Sequence, residues 1–359
     1  MDETPFSEAA TGVRPTSGAQ RVLRTLGWTP TDPQRVPAGT HLARLSIVHG
    51  ASAEVIWGDD QGAETIATCS FANDLTPRPV AGDWVVLRDG HVVAVLARRS
   101  SLRRPDPSQR DAQILAANLD LVLLVVPIDR GLNIRMLERF AIMAWDSGAQ
   151  PFVVLSKVDE AKDVTAIRTA TTLAVPGVEV LTTSSRSGEG LERLRRLLHE
   201  GVTAVMLGAS GAGKTSLLNA LEGRREATRD VSRRGEGRHV TTTRKLYRLS
   251  SGGVLLDIPG IRLLDLMVGQ GGVNETFTDV ADLAIQCRFR DCAHGRDEGC
   301  AVVLAVSTGA LSATRLENWR LVQSELALQG RRRDPTAAPA RRRRRKTSPR
   351  DPPAPARDE

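Results

Sequence analysis

The chain is poor in aromatic residues and cysteine, and it lacks a long apolar run. Aromatic side chains make up 3% of its 359 residues, with one tyrosine, and there are four cysteines. The longest apolar run, at 121–128, is too short to cross a membrane as a helix, which takes about 20 residues. The acidic start, MDETPFSEAA, has no apolar core of a secretory signal. We therefore expect a cytoplasmic protein without a membrane partner.

Excess charge is also absent from most of the chain. Residues 331–359 hold 11 basic and 4 acidic side chains, a net charge of +7. Since the whole chain has 49 basic and 42 acidic residues, the remainder has 38 of each and is neutral. So basic a tail with so little apolar mass is predicted to be disordered. The run Arg341–Lys346 would attract phosphate backbones without sequence preference, or it is simply a solvated terminus.

The apolar pattern changes twice along the chain. Residues 1–40 show no sustained period, which predicts a loose extension with a short helix around 19–26. Residues 41–96 alternate apolar and polar side chains between turn signals such as Asp89-Gly90, as in a small barrel of the OB type. The arginine-rich linker that follows would contact RNA or be merely solvated. From about residue 112, strand-like runs alternate with helical patterns, which predicts a parallel sheet covered by helices.

A glycine-rich loop lies between the apolar run 202–207 and a helical segment. Its residues 208–215 match the P-loop pattern GxxxxGK[ST] in the required strand–loop–helix context. Backbone N–H groups of such a loop and the helix N-terminus bind phosphate oxygens. We expect Lys214 to reach the β- and γ-phosphates and Thr215 to hold Mg²⁺. The candidate phosphate-binding residues are Gly208, Ala209, Ser210, Gly211, Ala212, Gly213, Lys214, Thr215 and Ser216.

Two further segments downstream fit phosphate recognition. The apolar run before Asp257-Ile258-Pro259-Gly260 predicts a strand that ends in an aspartate able to support Mg²⁺. Gly260 leaves its N–H free to sense the γ-phosphate. The polar stretch GEGRHVTTTRKL lies between the P-loop and this predicted strand. It is typical of a switch loop, or of an ordinary surface loop. Thr241 is the candidate Mg²⁺ ligand there, with Thr242 as the alternative.

Two segments upstream fit recognition of guanine. Ser156-Lys157-Val158-Asp159 follows an apolar run, and Asp159 would accept hydrogen bonds from guanine N1–H and the N2 amine. Lys157 would brace the base. Ser184 and Ser185, after the next predicted strand, would place a backbone N–H near guanine O6. The base-reading loops thus precede the phosphate-reading loops, which is the order of a circularly permuted GTPase. Since all of them follow strands, they can meet at one edge of a parallel sheet.

The remaining motif is a cluster of metal-ligand residue types. Cys287, Cys292, His294 and Cys300 give the spacing C-x₄-C-x-H-x₅-C, which suits a closed, tetrahedral, structural zinc site. A disulfide is not expected in a cytosolic protein. Cys69, in the predicted barrel, is expected to be a small buried apolar residue. A helix predicted at 312–328 would pack on the zinc module.

Together these motifs resemble one family, the ribosome small-subunit-dependent GTPases (RsgA/YjeQ). The resemblance covers about residues 41–325 and rests on GDWVVL, SKVD, SSRSGEGL, GASGAGKTSLLNAL, GEGRHVTTTR, DIPG and the cysteine cluster. It implies an OB-fold RNA-binding barrel (41–100), a circularly permuted P-loop α/β GTPase domain (112–272) and an α-helical zinc module (273–328). An extension (1–40) and the basic tail (329–359) lie at the two ends.

The resemblance further implies a GTP hydrolase that acts late in assembly of the small ribosomal subunit. Its partners would be that subunit with its rRNA, and GTP or GDP. The cofactors would be one Zn²⁺ and Mg²⁺ with GTP, and we expect a monomer. Gly260 lies 27 residues before Cys287, which leads us to the hypothesis that the nucleotide state is passed to the zinc module.

Three positions depart from common GTPase patterns. Ser156 stands where the family usually has asparagine, which could lose one hydrogen bond worth about 1 kcal/mol. Val240 stands where the family tends to have threonine. Ile261 stands where many GTPases have the glutamine that orients the attacking water. His239, in the switch loop, is our candidate for that catalytic role, unless it is an ordinary surface histidine. We predict slow hydrolysis that a partner accelerates.

Two other functions fit parts of the sequence. One is an RNA-binding module in which the nucleotide is a slow switch with little intrinsic catalysis. The other is a P-loop ATPase or small-molecule kinase, against which Asp159 argues. Competition between guanine and adenine nucleotides separates the kinase from the GTPase.

Overall fold

The structure, a computed structural model, describes residues 14–29, 36–105, 112–129, 131–223, 245–257, 269–295 and 297–333. Within these ranges, no helix combines the length and the apolar character that a membrane crossing requires. The first 13 residues and residues 334–359 lie outside them. The prediction of a disordered tail from residue 329 onward is wrong for residues 329–333, because they continue the last helix.

Five strands near the N-terminus close into a barrel in the order β1-β2-β3-β5-β4. They are β1 (His41–His49), β2 (Ser52–Gly58), β3 (Glu64–Phe71), β4 (Trp84–Arg88) and β5 (His91–Val95). The predicted hairpin at Asp89-Gly90 is confirmed, and both residues have the positive φ, 50° and 77°, that a tight two-residue turn requires. The predicted OB-like barrel is therefore present, and Cys69 lies buried in its interior as expected.

The segment before the barrel is helical, but it is not loose. Helix α1 (Ser17–Thr25) confirms the short predicted helix, and Thr16 caps it by accepting the Ala19 N–H. Leu23 and Leu26 are fully buried. The rings of Trp28 and Trp84 pack edge to face, with 4.7 Å between their centroids. The prediction of a loose extension is wrong for residues 14–29, because their apolar side chains complete the core between the barrel and the sheet domain.

A hairpin, β6 (Ser101–Pro105) and β7 (Ala112–Ala117), leads from the barrel into a six-stranded sheet. The sheet order is β10-β9-β8-β11-β13-β12, and every neighbouring pair is parallel except β12 and β13. Its strands are β8 (Leu121–Pro127), β9 (Gln150–Ser156), β10 (Glu179–Thr182), β11 (Thr203–Leu207), β12 (Lys245–Arg248) and β13 (Val254–Asp257).

Helices cover both faces of this sheet, as the sequence predicts. They are α2 (Ile134–Asp146), α3 (Val164–Ala174), α4 (Leu191–Leu197) and α5 (Lys214–Glu222). Alternate residues of β8 enter two separate cores: Val122 and Leu124 pack with α2, whereas Leu123 and Val125 pack with α4 and α5. A strand buried on both faces explains the continuous apolar run at 121–128.

The C-terminal part is a small helical module. It consists of α6 (Gln270–Thr276), α7 (Thr278–Ile285), α8 (Ala301–Ser307) and α9 (Ala313–Arg333). Helix α9 confirms the predicted final helix and extends five residues further. The core of this module contains Phe277, Val280, Cys287 and Cys300, together with Ile142 from α2 of the sheet domain.

One buried arginine lies at each end of the sheet domain. Arg44 of β1 is fully buried, donates to the Asn118 carbonyl (3.2 Å) and lies 4.5 Å from the centre of the Trp84 ring. Arg315 of α9 lies 4.1 Å from the centre of the Phe277 ring, and it donates to Glu138 of α2 at 2.6 Å. These contacts join both flanking domains to the sheet domain.

Candidate nucleotide and metal sites

The predicted base-reading and phosphate-reading loops meet at one edge of the sheet. Strands β8, β9, β10 and β11 run parallel, so their carboxyl ends lie on the same side. Ser156, at the end of β9, donates its Oγ–H to the carbonyl of Ala212 in the phosphate loop, at 2.7 Å. This bond joins two loops that are 56 residues apart. Serine therefore retains a contact with the phosphate loop, although it is shorter than asparagine.

The phosphate loop is shaped by close approach and by left-handed backbone. A Cβ atom on Gly208 would lie 2.4 Å from the Val125 carbonyl oxygen, so a side chain there would clash with β8. Gly211 and Gly213 have φ of 77° and 90°, a conformation that favours glycine. Lys214 begins α5, and its ammonium group donates to the carbonyls of Gly208 (2.7 Å) and Ala209 (3.0 Å). The lysine side chain thus folds back over the loop with which it is predicted to bind phosphate.

Polar groups at the start of α5 face the same space. Thr215 and Ser210 are exposed, and Ser216 is half-buried. The first N–H groups of a helix have no intrahelical acceptor, so they and the loop N–H groups can bind an anion. The arrangement is able to bind a phosphate chain, with the Thr215 hydroxyl available to a cation.

The base-reading loop turns sharply after β9. Lys157 has a left-handed backbone (φ 62°), and a short 3₁₀ turn follows at Val158–Glu160. Val158 is buried and donates its N–H to the Thr183 carbonyl (3.3 Å), whereas the Asp159 carboxylate is exposed at the edge. Val158 therefore anchors the loop, and Asp159 is left free to face a ligand.

The loop after β10 is ordered by one buried hydroxyl. Ser184 is fully buried, and its Oγ accepts the N–H groups of Arg186 (3.1 Å) and Ser187 (3.0 Å). Ser185, next to it, is half-buried. The Ser184 side chain thus shapes the turn, and base recognition by backbone N–H groups here stays a prediction.

One residue at this edge was not predicted from the sequence. Asp129 lies two residues beyond β8, and its Oδ2 is 2.9 Å from the Lys157 ammonium group. The signal that could have found it is an acidic residue just after a buried strand, on the same edge as the other loops.

The predicted catalytic and switch residues fall on segments that the structure does not describe. His239, Thr241 with its alternative Thr242, and Gly260 lie outside the described ranges. Asp257 ends β13, and β13 pairs with β11, the strand that leads into the phosphate loop.

The four predicted metal ligands come together in the helical module. The candidate ligand atoms of Cys287, Cys292, His294 and Cys300 all lie within 4.8 Å of one another. Cys287 Sγ is 3.9 Å from Cys300 Sγ and 3.5 Å from His294 Nδ1. A tetrahedral zinc site has edges of about 3.8 Å between sulfurs and about 3.6 Å from sulfur to nitrogen, given Zn–S near 2.3 Å and Zn–N near 2.0 Å. These three ligands fit such a site.

The surroundings of the cluster favour a bound cation. Burial raises the pKa of the Cys292 thiol to about 12 and lowers the pKa of His294. Metal binding at the cluster would therefore release the Cys292 proton. Backbone N–H groups of His294 and Val303 donate to the sulfurs of Cys292 and Cys300, both at 3.4 Å, which stabilises thiolates. The cluster could hold a metal ion.

Comparison with known proteins agrees with this geometry. The family model of the RsgA GTPase matches residues 95–267. A small ribosomal subunit biogenesis GTPase RsgA of Streptomyces avermitilis is 45% identical over 256 residues, 68% of each chain. The RsgA 1 protein of Listeria innocua is 34% identical over 337 residues, 91% of this chain and 95% of that protein.

Solved structures give the same result. The crystal structure of YjeQ from Thermotoga maritima matches with a TM-score of 0.60 and 25% identity, and covers 80% of this chain and 99% of that one. The predicted architecture, a permuted GTPase domain between an OB-like barrel and a helical module with a Cys₃His cluster, is confirmed. The chain belongs to the RsgA GTPase family and is a GTP-hydrolysing enzyme.

Proposed function

We propose that this GTPase binds the small ribosomal subunit and its rRNA late in assembly, and that the subunit stimulates GTP hydrolysis. One observation carries the proposal: the Ser156–Ala212 bond joins the loop that we assign to guanine to the loop that we assign to phosphate. The relatives that share this chain's length are named small ribosomal subunit biogenesis GTPases. A guanine nucleotide site in a relative of these GTPases supports a switch that controls binding to, and release from, the small ribosomal subunit.

The nucleotide contacts follow from the site. Asp159 reads guanine, Lys157 braces it, and backbone at Ser184 and Ser185 faces O6. Residues 208–216 bind the phosphates, with Lys214 released from the carbonyls of Gly208 and Ala209 to the β- and γ-phosphates. Thr215, Thr241 and Asp257 serve Mg²⁺, which would neutralise charge that develops on the phosphates. Gly260 senses the γ-phosphate, and His239 orients the attacking water by a hydrogen bond.

The Cys₃His cluster would hold one structural zinc ion. Cys287, Cys292, His294 and Cys300 fill the four positions of a tetrahedron, which leaves none for a substrate. A module with so small a core would gain much of its folding free energy from the metal.

Nucleotide state would reach this module through helix α2. Asp146, the last residue of α2, accepts the N–H groups of Gly269 and Gly272 (2.6 Å to Gly272) at the start of α6. Gly269 is the first described residue after Asp257. Glu138, on the same helix, binds Arg315 of α9. A movement of the chain after Asp257 would therefore act on α2 and α9 together.

Single-turnover hydrolysis with and without purified small subunits tests the proposal. We expect strong stimulation by the subunit for the wild-type protein and its loss in His239→Ala. His199→Ala is the matched control, because His199 is an exposed histidine away from the nucleotide loops.

The other outcomes point to the alternatives. A wild-type protein that subunits do not stimulate would instead be an RNA-binding module with a slow nucleotide switch. If RNA affinity is the same with GTP and with GDP, the coupling to the zinc module is wrong. If ATP displaces GDP as well as GTP does, the chain reads no base.

A further inference from the structure

We propose that Asp129 is a positioning residue for guanine nucleotides, which acts by holding Lys157 in the conformation that receives the base. The proposal rests on the proposed base-reading role of Lys157. Asp129 belongs to none of the motifs that identify the nucleotide site, and its partner lies 28 residues further along the chain.

The sheet brings the two residues together. Strands β8 and β9 are neighbours, with Pro127 opposite Ser156, and the Ile128 N–H donates to the Ser156 carbonyl at 3.1 Å. Asp129 follows Ile128 and Lys157 follows Ser156, so both residues lie side by side at the carboxyl edge of the sheet. The 2.9 Å contact of Oδ2 with Nζ is the result of this register.

Both ends of the Lys157 side chain are held. Its neighbour Ser156 is bound to the phosphate loop, and its neighbour Val158 is buried and bound to the Thr183 carbonyl. The left-handed φ of 62° then fixes the direction in which the side chain leaves the backbone. Asp129 fixes the ammonium end. The apolar stem between these two points is a ready-made surface for one face of a base.

The expected effect follows from side-chain entropy. A free lysine has about the largest rotamer freedom of any side chain, and it would lose that freedom when a base packs on it. Asp129 imposes the loss before the nucleotide arrives. Side-chain exposure is 33% for Lys157 and 15% for Asp129, so solvent weakens the pair. We expect about a two- to fivefold effect on nucleotide affinity, on the order of that for other partly exposed pairs.

Equilibrium binding of GDP and IDP to four proteins tests this. They are the wild type, Asp129→Ala, Lys157→Ala and the double variant. Asp129→Ala should weaken GDP and IDP by the same factor, since a stacked stem does not read the N2 amine. In the Lys157→Ala background, Asp129→Ala should add no further loss of nucleotide affinity, because the proposed effect of the carboxylate on the nucleotide passes through the lysine. Asp129→Glu should restore part of the affinity.

Three controls separate this role from others. Glu179→Gln removes a carboxylate from an exposed pair with Arg193, at the opposite end of its strand, and should leave affinity unchanged. An unchanged melting temperature of nucleotide-free Asp129→Ala excludes a merely structural role. Asp159→Asn should lower the preference for GDP over IDP, which tests the base-reading loop independently of Asp129.

Two results would overturn the proposal. Unchanged or tighter GDP binding by Asp129→Ala would mean that the carboxylate does not prepare the lysine, or draws it away from the base. A loss that adds fully to that of Lys157→Ala would mean that Asp129 acts by another route. If Asp159→Asn left the preference for GDP intact, the base-loop assignment itself would fail.

Discussion

Arg44 and Arg315 join the two flanking domains to the same sheet domain, but they do so in opposite environments. Arg44 lies over the Trp84 ring and donates to neutral oxygens, the Asn118 carbonyl (3.2 Å) and Thr203 Oγ1 (3.4 Å). Arg315 donates to two carboxylates, Glu138 (2.6 Å) and Asp279 (3.0 Å). If Arg44 is lost, the acceptors of its hydrogen bonds are neutral, and the buried Asp83 carboxylate, whose pKa Arg44 also lowers, keeps its direct partner Arg98. If Arg315 is lost, a buried carboxylate is left behind.

The barrel and the helical module also differ in how much they depend on apolar packing and on charge. The barrel closes its own sheet around nine buried apolar residues, so its strands satisfy one another. The helical module counts two ligand cysteines among its core residues and borrows Ile142 from the sheet domain. The barrel thus has an apolar core of its own beside the core that it shares with the sheet domain, whereas the module depends on charge, on its neighbour and, as we propose, on a metal.

Removal of the metal should show the largest difference between them. We expect a chelator to abolish hydrogen-exchange protection in residues 269–333, because structural zinc contributes about 10–16 kcal/mol in comparable small domains. The barrel should keep its protection. Cys287→Ser should act like the chelator, whereas Cys69→Ser, at the buried barrel cysteine, should leave the metal content unchanged. Protection that survives metal loss would show that the module's apolar core suffices.

Arg315→Met should have the next largest effect. It keeps much of the side-chain volume but leaves Glu138, which is 2% exposed, without its cation. Breaking a buried pair in this way costs about 3–5 kcal/mol. Urea unfolding of the metal-loaded protein measures the loss. Arg193→Met, in the exposed pair with Glu179, is the control and should cost less than about 1 kcal/mol.

The pH dependence of the stability of Arg315→Met tests whether the loss comes from the buried Glu138 carboxylate. Burial raises the pKa of Glu138 above its ordinary value of 4.5, and the Arg315 guanidinium opposes part of that rise. Without Arg315 the pKa rises further, so the folded state binds a proton that the unfolded state has released. Stability of the variant should therefore fall as the pH rises from 4.5 through the raised pKa. A variant that loses the same stability at every pH would contradict this.

Arg44→Met should have the smallest effect of the substitutions at the two interfaces. It removes hydrogen bonds to neutral acceptors and one contact with an aromatic ring, together worth about 1–2 kcal/mol. The charge interaction of Arg44 with Asp83 is also lost, but Asp83 keeps its direct ion pair with Arg98. Urea unfolding, measured beside Arg315→Met, makes the comparison direct. An equal loss from the two variants would show that the environment of a buried arginine does not decide its contribution.

Much of the fold could be predicted because its signals are local. The P-loop spacing, the Asp89-Gly90 turn and the ligand spacing of the cysteine cluster each lie within a short stretch of chain. The missed contacts join distant residues. Glu138 and Arg315 are 177 residues apart, and Asp146 and Gly269 are 123 apart. No periodicity along the sequence indicates which acidic residue will face which arginine or glycine.

The packing of the N-terminal segment was not predicted, for a related reason. Residues 14–29 carry too few apolar side chains to form a core alone, so no pattern marked them as packed. Leu23 and Trp28 are buried because the barrel and the sheet meet there. Asp129 was missed because its partner, Lys157, becomes adjacent only through the pairing of β8 with β9.

The sheet order has a mechanical consequence. The barrel is connected to the start of β8, and the helical module is connected to the end of β13, with β11 between these two parallel strands. Tension between the two flanking domains would therefore pull along the strands in opposite directions. All hydrogen bonds of a ladder then share the load at once, whereas a force across the strands would open them one at a time. The phosphate-loop strand lies in the part of the molecule most resistant to such a pull.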